Sequence, residues 1–569
     1  MIRGRPTSDR AFQPIARGLS LGAMISASRC LLCLALTVST CAADVPKPAV
    51  PDRLATGFNA IRVEALRADV TFLASDALDG RLSLQRGDEV AAQWVCAEFA
   101  KAGLQPLVDG SYLQSVPLIE YSGDRASSYV GLSRGGAQKQ WSFPHVSGGF
   151  KDDVDLTAPL VFAGFGITAP ELGYDDYAGL DVRGKIVLLF DHEPQETDPK
   201  SIFNGTGNTR YATGRVKLLN AQAHGAAGVL LVGEPNRQHP SNQERVAKIG
   251  GSAKRSVPIG TQVIDDDTLR IPLLTVSDVI AQELLATSGD TPAQLQTAID
   301  RDLKPQSRPL PDTIVSLRLR NASRRRGTTI NVLGLLPGSD PSLAAETIII
   351  SAHHDHDGAS SSTEIYHGAD DNASGTAGVV ALAHAFAQNP VRPKRSILFA
   401  VFAAEERGLL GAFWLAAHPL RPLATTRAMI NFDMIGRNEE ASEQTNGLIE
   451  IPADTSNRLN LIGAYYSPDY ARIVAEENRR VGLILDDRFD HENALNVFFR
   501  SDQFPFVLKN IPAFWFFTGF HPDYHHVTDT ADRLNYAKMA KIVQLSYLTA
   551  WRFTDDPTTP RFVESPRGQ

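Results

Sequence analysis

The sequence of 569 residues is long enough for two or three domains, and its formal net charge is -8 at pH 7. Hydrophobic residues make up 43% of the chain and charged residues 21%, which is typical of a soluble globular protein. The negative charge argues against a surface that binds nucleic acid, and we expect no such partner.

The N-terminus has the order of a signal peptide. Arg29 precedes a short apolar run, Leu31–Val38, and small residues follow, with cleavage favoured near Ala43. The run is too short to anchor the chain across a bilayer. We therefore expect residues 1–43 to be removed on export, to the periplasm or to the outside of the cell. Met24 would give a more compact start than the first residue.

Cysteine usage is consistent with an exported chain that has no internal disulfide. Three of the four cysteines lie in or beside the expected signal peptide, so the mature chain keeps essentially one: Cys30, Cys33, Cys41 and then Cys96. Lipidation of Cys41 is an alternative to simple cleavage. Outside the signal peptide the sequence has no run of about 18 apolar residues, so we expect no membrane span in the mature protein.

Two helices are predicted after a linker over residues 44–56. Apolar residues at helical spacing indicate a first helix over residues 61–73 and a second over residues 87–102, which Gly103 ends. We assign these helices to the first part of a main domain, residues 57–142.

The character of the sequence changes between residues 143 and 300. Short apolar runs, separated by turns rich in Gly, Asp and Asn, predict an inserted β-rich domain with strands at 160–162, 186–190, 229–232 and 271–274. The segments Gly173–Leu188 and Ala221–Val232 resemble the protease-associated (PA) domain.

A pattern of alternating strands and helices begins after residue 313. Near-continuous apolar strands between amphipathic helices predict an α/β fold, with a doubly wound, mixed and mainly parallel sheet flanked by helices. The strands are expected at 330–335, 347–352, 396–404, 428–432 and 513–517, and the helices at 374–388, 409–417, 470–481 and 536–553. We assign residues 301–556 to the second part of the main domain and residues 557–569 to a tail.

Five short motifs fall at or just beyond the carboxyl ends of these strands, where open α/β sheets build their sites. Histidines and carboxylates of the kind that bind zinc recur in them. Each motif alone could equally be a solvated loop or a helix cap, whereas the combination favours a metal centre. The motifs are Ser351–His356, Gly368–Gly375, Ala403–Gly411, Asn431–Gly436 and Asp523–Thr530.

The first two motifs indicate a zinc ligand and a bridging group. His353 leaves a strand, and Asp355 is placed to fix the tautomer of a ligating histidine. Asp371 lies in a glycine-flanked turn beside a second carboxylate, and the two would repel each other without a cation. Because a carboxylate has two oxygens, Asp371 is expected to bridge two metal ions.

The remaining motifs supply a base and further ligands. Glu405 and Glu406 follow an apolar strand, and we expect Glu406 to bind metal while Glu405 moves protons. Asp433 can complete the ligand shell of the metal ion that Glu406 does not bind. One histidine of the last motif should be the final ligand, and Tyr524 is a candidate for holding a developing oxyanion.

Together the motifs resemble the aminopeptidase S, aminopeptidase Y and bacterial leucyl aminopeptidase family of co-catalytic zinc metallopeptidases, some of which carry an inserted PA domain. The resemblance covers about residues 61–553 and includes Phe72–Arg81 and Arg500–Pro512. It implies a zinc exopeptidase fold and two Zn²⁺ per chain. Gln503 departs from the family, which commonly has histidine at that position.

Carried over residue by residue, the resemblance makes His353, Asp371, Glu406 and Asp433 ligands, Glu405 the general base and Asp355 the group that orients His353. It also selects His525 over His526 as the last ligand, with Asp529 as its partner, and implies a cis peptide bond between Asp371 and Asn372. A cis bond of this kind is costly without proline.

The resemblance implies an exported aminopeptidase that acts on peptides with a free N-terminus, through a water activated by two metals. Several alternatives stay open: a carboxypeptidase of the glutamate carboxypeptidase type, a one-zinc glutaminyl cyclase and a non-catalytic receptor-like relative. The same ligands could hold cobalt or manganese. The sequence does not define the preferred side chain, the oligomeric state or the role of the inserted domain.

Overall fold

The computed structural model describes residues 47–143, 145–241, 244, 255–266, 268–445 and 447–563. The expected signal peptide, Met24 and Cys41 lie outside these residues. The helices described are, in chain order, α1 (Asp52–Ala60), α2 (Val63–Leu73), α3 (Arg86–Lys101), α4 (Gly214–Ala223), α5 (Asp278–Leu284), α6 (Pro292–Asp302), α7 (Gly375–Gln388), α8 (Leu410–Ala417), α9 (Pro468–Val481), α10 (Phe504–Val507) and α11 (Tyr536–Asp555).

The strands form two large sheets and two short ribbons. In chain order they are β1 (Gln105–Pro106), β2 (Leu113–Gly123), β3 (Tyr129–Arg134), β4 (Ala137–Ser142), β5 (Val146–Gly149), β6 (Val154–Phe162), β7 (Thr168–Ala169), β8 (Tyr174–Asp175), β9 (Ile186–Phe190), β10 (Gly228–Val232), β11 (Thr261–Ile264), β12 (Leu273–Val276), β13 (Arg308–Leu319), β14 (Asn321–Leu336), β15 (Thr347–His353), β16 (Gly358–Ser361), β17 (Glu364–Tyr366), β18 (Ser396–Phe402), β19 (Thr426–Phe432), β20 (Arg458–Ile462), β21 (Ile484–Asp486) and β22 (Ala513–Phe517).

The sheet of the main domain runs in the order β11-β2-β14-β18-β15-β19-β22-β20-β21, with β1 added to β14. Its centre, β18-β15-β19-β22, is parallel, while β14 pairs antiparallel with β18 and β20 pairs antiparallel with β22. This is the mixed α/β sheet that the sequence predicts. The parallel centre brings four strand ends together at one edge.

Helices cover both faces of this central part. Every residue of β15 and of β18 is buried, which explains why these strands are apolar throughout rather than alternating. One face packs on residues of α1, α2, α3, α7 and α11, and the other on residues of α8 and α10. The strands are therefore held rigidly, and so are the residues that follow them.

The second sheet defines the inserted domain and runs in the order β4-β3-β13-β6-β9-β10-β12-β5. Its centre, β6-β9-β10-β12, is parallel. The sheet starts at Tyr129 and ends at Leu319, so it extends on both sides of the segment 143–300 assigned from the sequence. The flanking strands β3 and β13 belong to this sheet through pairing between strands that are distant in the sequence, and β4 pairs with β3. One strand inside the segment, β11, pairs with β2 of the main sheet.

A segment of the inserted domain, residues 193–213, reaches the main domain. The hydroxyl of Tyr466 donates a hydrogen bond to the carbonyl of Gly207, and the amide of Asn208 donates to the carbonyl of Asn493 at 3.3 Å. Arg210 donates to the side chain of Asn510 at 3.0 Å. These contacts fix one edge of the inserted domain beside the carboxyl ends of the main strands. Across the described ranges, none of the helices is both long and apolar enough to cross a membrane.

Candidate metal centre

The main sheet brings the five sequence motifs to one place. His353 is the last residue of β15, Asp433 directly follows β19, and Glu405 and Glu406 come three and four residues after β18. Asp371 lies in the turn that leads into α7, and its peptide bond to the next residue is cis, as the resemblance implies. Side chains separated by up to 172 positions in the sequence therefore converge.

Asp371 lies between the two histidines. Its Oδ1 is 3.4 Å from Nε2 of His353, and its Oδ2 is 3.2 Å from Nε2 of His525. Each oxygen thus faces a different imidazole. Burial by itself would raise the pKa of this carboxyl, but its contacts with His353 and His525 hold the pKa well below its usual range.

Each histidine also faces a second carboxylate. Nε2 of His353 is 3.4 Å from Oδ1 of Asp433, and Nε2 of His525 is 3.4 Å from Oε2 of Glu406. The result is two adjacent groups that share Asp371, namely His353 with Asp433 and His525 with Glu406. Each group thus contains one histidine, one further carboxylate and one oxygen of Asp371.

Glu405 lies beside the first group and is 8% exposed. Its Oε2 is 3.8 Å from Nε2 of His353. Burial, together with the nearby Asp433 and Glu406, raises the pKa of Glu405 well above its usual range. The turn that presents it places Ala404 in the left-handed region, at φ 55°, where a side chain is strained. A buried carboxyl with a raised pKa at the edge of a cavity suits proton transfer.

The histidines are oriented through their other ring nitrogens. Nδ1 of His353 lies 3.2 Å from the carbonyl of Asp355 and 3.6 Å from its Oδ1. The carboxylate of Asp355 also accepts the backbone N–H groups of Glu405 and Glu406, at 3.0 and 3.3 Å. Asp355 therefore links His353 to the turn that carries the two glutamates.

The structure gives Asp357 the place that the resemblance gave to Asp529. Nδ1 of His525 is 2.8 Å from Oδ2 of Asp357, whose other oxygen accepts a hydrogen bond from Arg407. Asp529 instead accepts the backbone N–H groups of Asp370 and Asp371, at 3.0 to 3.1 Å. It shapes the turn that presents the bridging carboxylate, because backbone N–H groups of that turn already occupy its oxygens.

His356 and Ser501 contact the centre and were not assigned roles from the sequence. Nδ1 of His356 is 2.7 Å from Oε1 of Glu406, and Oγ of Ser501 donates to Oδ2 of Asp433 at 2.6 Å. Each fixes the carboxylate oxygen that does not face a proposed metal position. His356 lies in the first motif, and Ser501 lies in the segment Arg500–Pro512 that resembles the family. The sequence alone does not show which side chains of a turn point inward.

Arg81 explains why an N-terminal motif accompanies this centre. Its guanidinium is buried, and it donates hydrogen bonds to four backbone carbonyls, those of Leu73, His354, His367 and Gly368, at 2.5 to 2.9 Å. The carbonyl of His354 lies directly after β15, and those of His367 and Gly368 lie shortly before Asp371. Arg81 therefore ties together the two loops that present His353 and Asp371.

The donor set fits zinc. Buried carboxylates outnumber histidines here, and such an excess is costly without a cation. Asp502 adds a further buried carboxyl, whose pKa is raised well above its usual range by burial, although His353 opposes the shift. Among the described residues Nε2 of His353 has no hydrogen-bond partner. Imidazole nitrogens and carboxylate oxygens are the ligands that zinc takes in catalytic sites.

A cavity of about 700 Å³ opens over the centre. Four carboxylates form part of its lining, and a wall of large apolar side chains stands beside them: Asp371, Glu405, Glu406, Asp433, Leu409, Met434, Phe499, Phe504, Trp515, Phe520 and Tyr524. Residues of the inserted domain, among them Thr213, Leu218 and Leu273, line the same cavity. The inserted domain therefore contributes to the shape of the site.

Tyr524 and Gln503 occupy different surroundings. Tyr524 lines the cavity with its ring against that of His525, at 4.1 Å between centroids, and burial raises the pKa of its hydroxyl to about 12. Gln503 is buried, and its amide donates to the carbonyl of Phe498 at 2.7 Å. Its oxygen accepts from Asn431 at 3.3 Å, which places Gln503 in the support of β19 rather than in the lining of the cavity.

Comparison with known proteins identifies both parts of the chain. Residues 331–550 match Peptidase family M28, and residues 156–278 match the PA domain. The five motifs lie within residues 331–550, and both matches agree with the resemblances stated for the motifs and for the inserted domain.

Similar proteins include fungal peptidases. Leucine aminopeptidase 2 of Arthroderma otae is 26% identical over 270 residues, which are 42% of this chain and 50% of that protein. A probable zinc metalloprotease of Pyrenophora teres f. teres is 39% identical over 113 residues, which are 18% of this chain and 24% of that protein. The chain thus spans half or less of the length of these two relatives.

Solved structures of aminopeptidases are also similar. The aminopeptidase of Aneurinibacillus sp. strain AM-1 has a TM-score of 0.47 and 20% sequence identity, covering 90% of this chain and 97% of that one. A zinc aminopeptidase of Bacillus subtilis has a TM-score of 0.41 and 17% identity, covering 89% and 99%.

Proposed function

We propose that this protein is a zinc aminopeptidase that removes residues from the free N-terminus of peptides. The observation that carries the proposal is the position of Asp371, whose two oxygens face His353 and His525 at 3.4 and 3.2 Å. A carboxylate placed between two imidazoles suits a bridge between two ions. The match of residues 331–550 to Peptidase family M28 supports peptide hydrolysis as the reaction.

The residues of the centre divide into two ligand sets. His353, Asp433 and Oδ1 of Asp371 would hold one zinc ion, and His525, Glu406 and Oδ2 of Asp371 would hold the other. Two zinc ions in such a site polarise the scissile carbonyl and lower the pKa of a bound water. Ser501, His356 and Asp357 hold the ligands in place through their other atoms.

Glu405 is the group that moves the proton. It lines the cavity beside both ligand sets but faces His353 only at 3.8 Å, so it remains available to substrate. We assign to it the removal of a proton from the attacking water and its delivery to the leaving nitrogen. Tyr524, which donates one O–H and lines the same cavity, is placed to stabilise the oxyanion.

The cavity suits a substrate with a free amine. Carboxylates concentrated on one side of the cavity attract the α-ammonium of a peptide, while the apolar wall receives the first side chain. Leu218 and Leu273 of the inserted domain border the same cavity. We therefore assign to the inserted domain a share in substrate binding.

A panel of aminoacyl-p-nitroanilides tests the proposal, with N-acetylated forms of the same compounds as controls. Purified protein should hydrolyse the free-amine substrates, lose that activity after chelation and regain it when zinc is returned. The acetylated controls should remain intact. Anomalous diffraction at the zinc edge should give two peaks between His353 and His525, whereas a single peak there would favour a cyclase-type centre.

A carboxypeptidase is the second candidate, because Arg500 lines the cavity. Its guanidinium lies 5.3 Å from the ring of Phe520, and within the described part of the chain its buried Nη1 has no hydrogen-bond partner. Such a cation could bind a C-terminal carboxylate. Cleavage of N-blocked peptides with a free C-terminus, together with inactivity on every free-amine substrate, would favour this reading.

We also propose that the protein works outside the cytoplasm. The expected signal peptide supports this location. Cys96 is a free thiol in the structure, so the proposal does not depend on disulfides. Fractionation of the producing cells, with detection of the processed N-terminus by mass spectrometry, would separate a periplasmic from a secreted or lipid-anchored product.

A further inference from the structure

A second cluster of potential metal ligands lies in the inserted domain, outside the centre described above. His192, Glu196, Glu234 and His239 each offer one nitrogen or oxygen, and these atoms all lie within 4.8 Å of one another. The side chains are 1%, 9%, 1% and 7% exposed. Four ionisable groups are thus buried together in a domain to which the proposed peptidase mechanism assigns no chemistry.

The topology of the second sheet brings the cluster together. His192 follows the end of β9 by two residues, and Glu234 follows the end of β10 by two residues. These strands are parallel neighbours in register, and the N–H of Asp191 extends the pairing to the carbonyl of Val232 at 2.8 Å. The cluster therefore occupies the edge of the sheet where α/β domains place their sites.

Hydrogen bonds account for some of the polar atoms in this cluster. Nδ1 of His192 is 2.6 Å from one oxygen of Glu196, and Nε2 of His239 is 3.0 Å from the other. Nδ1 of His239 lies 3.0 Å from the carbonyl of Pro240. Glu196 thus contacts both imidazoles, and its carboxylate lies at the middle of the cluster.

Three atoms are left without a partner. Among the residues that the structure describes, Nε2 of His192 and both side-chain oxygens of Glu234 have no hydrogen bond, although all are buried. Oε1 of Glu234 lies only 3.4 Å from Nε2 of His239. A buried carboxylate with two unsatisfied oxygens is costly, and these atoms are suited to binding a cation.

We propose that His192, Glu196, Glu234 and His239 bind one divalent transition-metal ion, for which zinc is the best match. Two imidazoles and two carboxylates supply nitrogen and oxygen donors, and the carboxylates neutralise the charge of a divalent ion. A tetrahedral zinc site places its ligand atoms about 3.3 Å apart, which small side-chain rotations would reach here. Calcium and magnesium take oxygen ligands and would leave the imidazoles unused.

This ion would stabilise the segment that joins the two domains. Glu196 belongs to the segment 193–213, and its carbonyl accepts a hydrogen bond from the amide of Asn493 in the main domain at 3.1 Å. Glu193, three residues earlier, accepts from the backbone N–H of Thr209 at 2.7 Å. An ion bound to Glu196 would therefore fix the start of the segment that contacts the peptidase domain.

Metal analysis of the full-length protein tests the proposal. The wild type is saturated with zinc, dialysed against metal-free buffer and analysed by mass spectrometry of the elements. Glu234→Gln keeps the shape of the side chain and removes its charge, so it should lower the zinc content by about one ion per chain. Glu283→Gln, at a side chain of the same domain that is 40% exposed and pairs with Lys139, is the matched control and should retain the wild-type content. An unchanged zinc content in folded Glu234→Gln protein would overturn the proposal.

Anomalous diffraction from wild-type crystals at the zinc edge locates the ions independently of any variant. A peak among the four side chains supports the proposal, and its absence from zinc-saturated crystals overturns it. Because peaks between His353 and His525 are read separately, failure of this site is distinguishable from failure of the peptidase centre.

Discussion

The peptidase centre and the cluster in the inserted domain share a position but differ in charge. Both lie at the carboxyl ends of neighbouring parallel strands. In the peptidase centre Asp371, Glu405, Glu406 and Asp433 outnumber the histidines that face them, whereas the inserted domain has two histidines and two glutamates. The topology of each sheet thus determines where the cluster lies. The ratio of carboxylates to imidazoles determines how strongly each cluster requires a bound cation.

The two regions also differ in access. The four carboxylates of the peptidase centre line a cavity of about 700 Å³, while none of the four residues of the second cluster is among the described residues that line it. Zinc sites that perform catalysis keep a position open to water or substrate, and structural sites are closed. We therefore expect catalysis at the first region and stabilisation at the second.

The largest effect should come from Glu405→Gln, which tests whether catalysis belongs to the first region. Loss of the proton-transfer group should lower kcat by about 10²–10⁴-fold while zinc content and folding stay the same. Steady-state kinetics with a leucyl-p-nitroanilide substrate, together with zinc analysis, measures both. Glu440→Gln, the same change at an exposed position, should leave kcat unaltered. Near wild-type turnover by Glu405→Gln would contradict the assignment of the base.

Asp357→Asn tests whether the peptidase centre depends on its orienting groups. The change weakens the contact that holds Nδ1 of His525 and removes the charge paired with Arg407, so zinc affinity or kcat/KM should fall by about 10–100-fold. Competition with a fluorescent zinc chelator measures the affinity. Asp76→Asn is the matched control, because Asp76 pairs with His367 at an exposed position, and it should bind zinc like the wild type. Equal affinities in the two variants would assign Asp357 no positioning role.

Substrate choice should follow the apolar wall beside the carboxylates. A cavity lined by Met434, Phe499 and Phe520 favours a large apolar first side chain, and we expect kcat/KM for leucyl-p-nitroanilide to exceed that for the alanyl compound by about 10-fold or more. The comparison needs only the wild-type enzyme. A preference for alanine would mean that the wall does not contact the first side chain.

The smallest predicted effect concerns the stability of the inserted domain at different pH values. Burial raises the pKa of Asp176 to about 7, so the folded state keeps a proton that the unfolded state loses above about pH 4. Stability should therefore fall as the pH rises from about 4 to 7. Thermal unfolding at pH 5 and pH 8 measures the fall.

Asp176→Asn should flatten this dependence. An amide oxygen can accept the N–H groups of Phe165 and Ile167, now bound at 3.0 and 3.1 Å, and the amide nitrogen can donate to the hydroxyl of Tyr174. The difference in midpoint temperature between the two pH values should shrink relative to the wild type. An identical difference in both proteins would show that Asp176 does not titrate in this range.

Much of the fold was predictable because the strands of the main sheet are buried on both faces. The predicted strand 347–352 is β15 almost residue for residue, and the predicted helix 374–388 is α7 to within one residue. The limits of the inserted domain were harder to predict from the sequence. β13 is placed by its pairing with β3 and β6, a long-range relation that no local pattern reveals.

The proposed ligands could be selected because each motif ends a strand, but the groups that orient them could not. Asp357 and Asp529 are both acidic residues near motif histidines. Only the path of the turns decides that Asp357 meets His525 while Asp529 meets backbone N–H groups. Sequence spacing carries no information on that path.

The second cluster escaped sequence analysis for a related reason. His192 and Glu196 are separated from Glu234 and His239 by a helix and a strand, and their spacing matches no short metal motif. The available signal was the one used for the main domain, namely acidic or imidazole side chains directly after buried parallel strands. Applied to the predicted strands 186–190 and 229–232, it would have singled out His192 and Glu234.

The contacts of Arg81 have a consequence for synthesis of the chain. This residue is translated before the inserted domain, whereas the carbonyls of His354, His367 and Gly368 that it holds are translated after it. The inserted domain can complete its own sheet once Leu319 has emerged from the ribosome. The first of these partners, the carbonyl of His354, comes more than 270 residues after Arg81 in the sequence. The proposed ligand set is therefore complete only when the chain has been synthesised as far as His525, whereas the sheet of the inserted domain needs the chain only as far as Leu319.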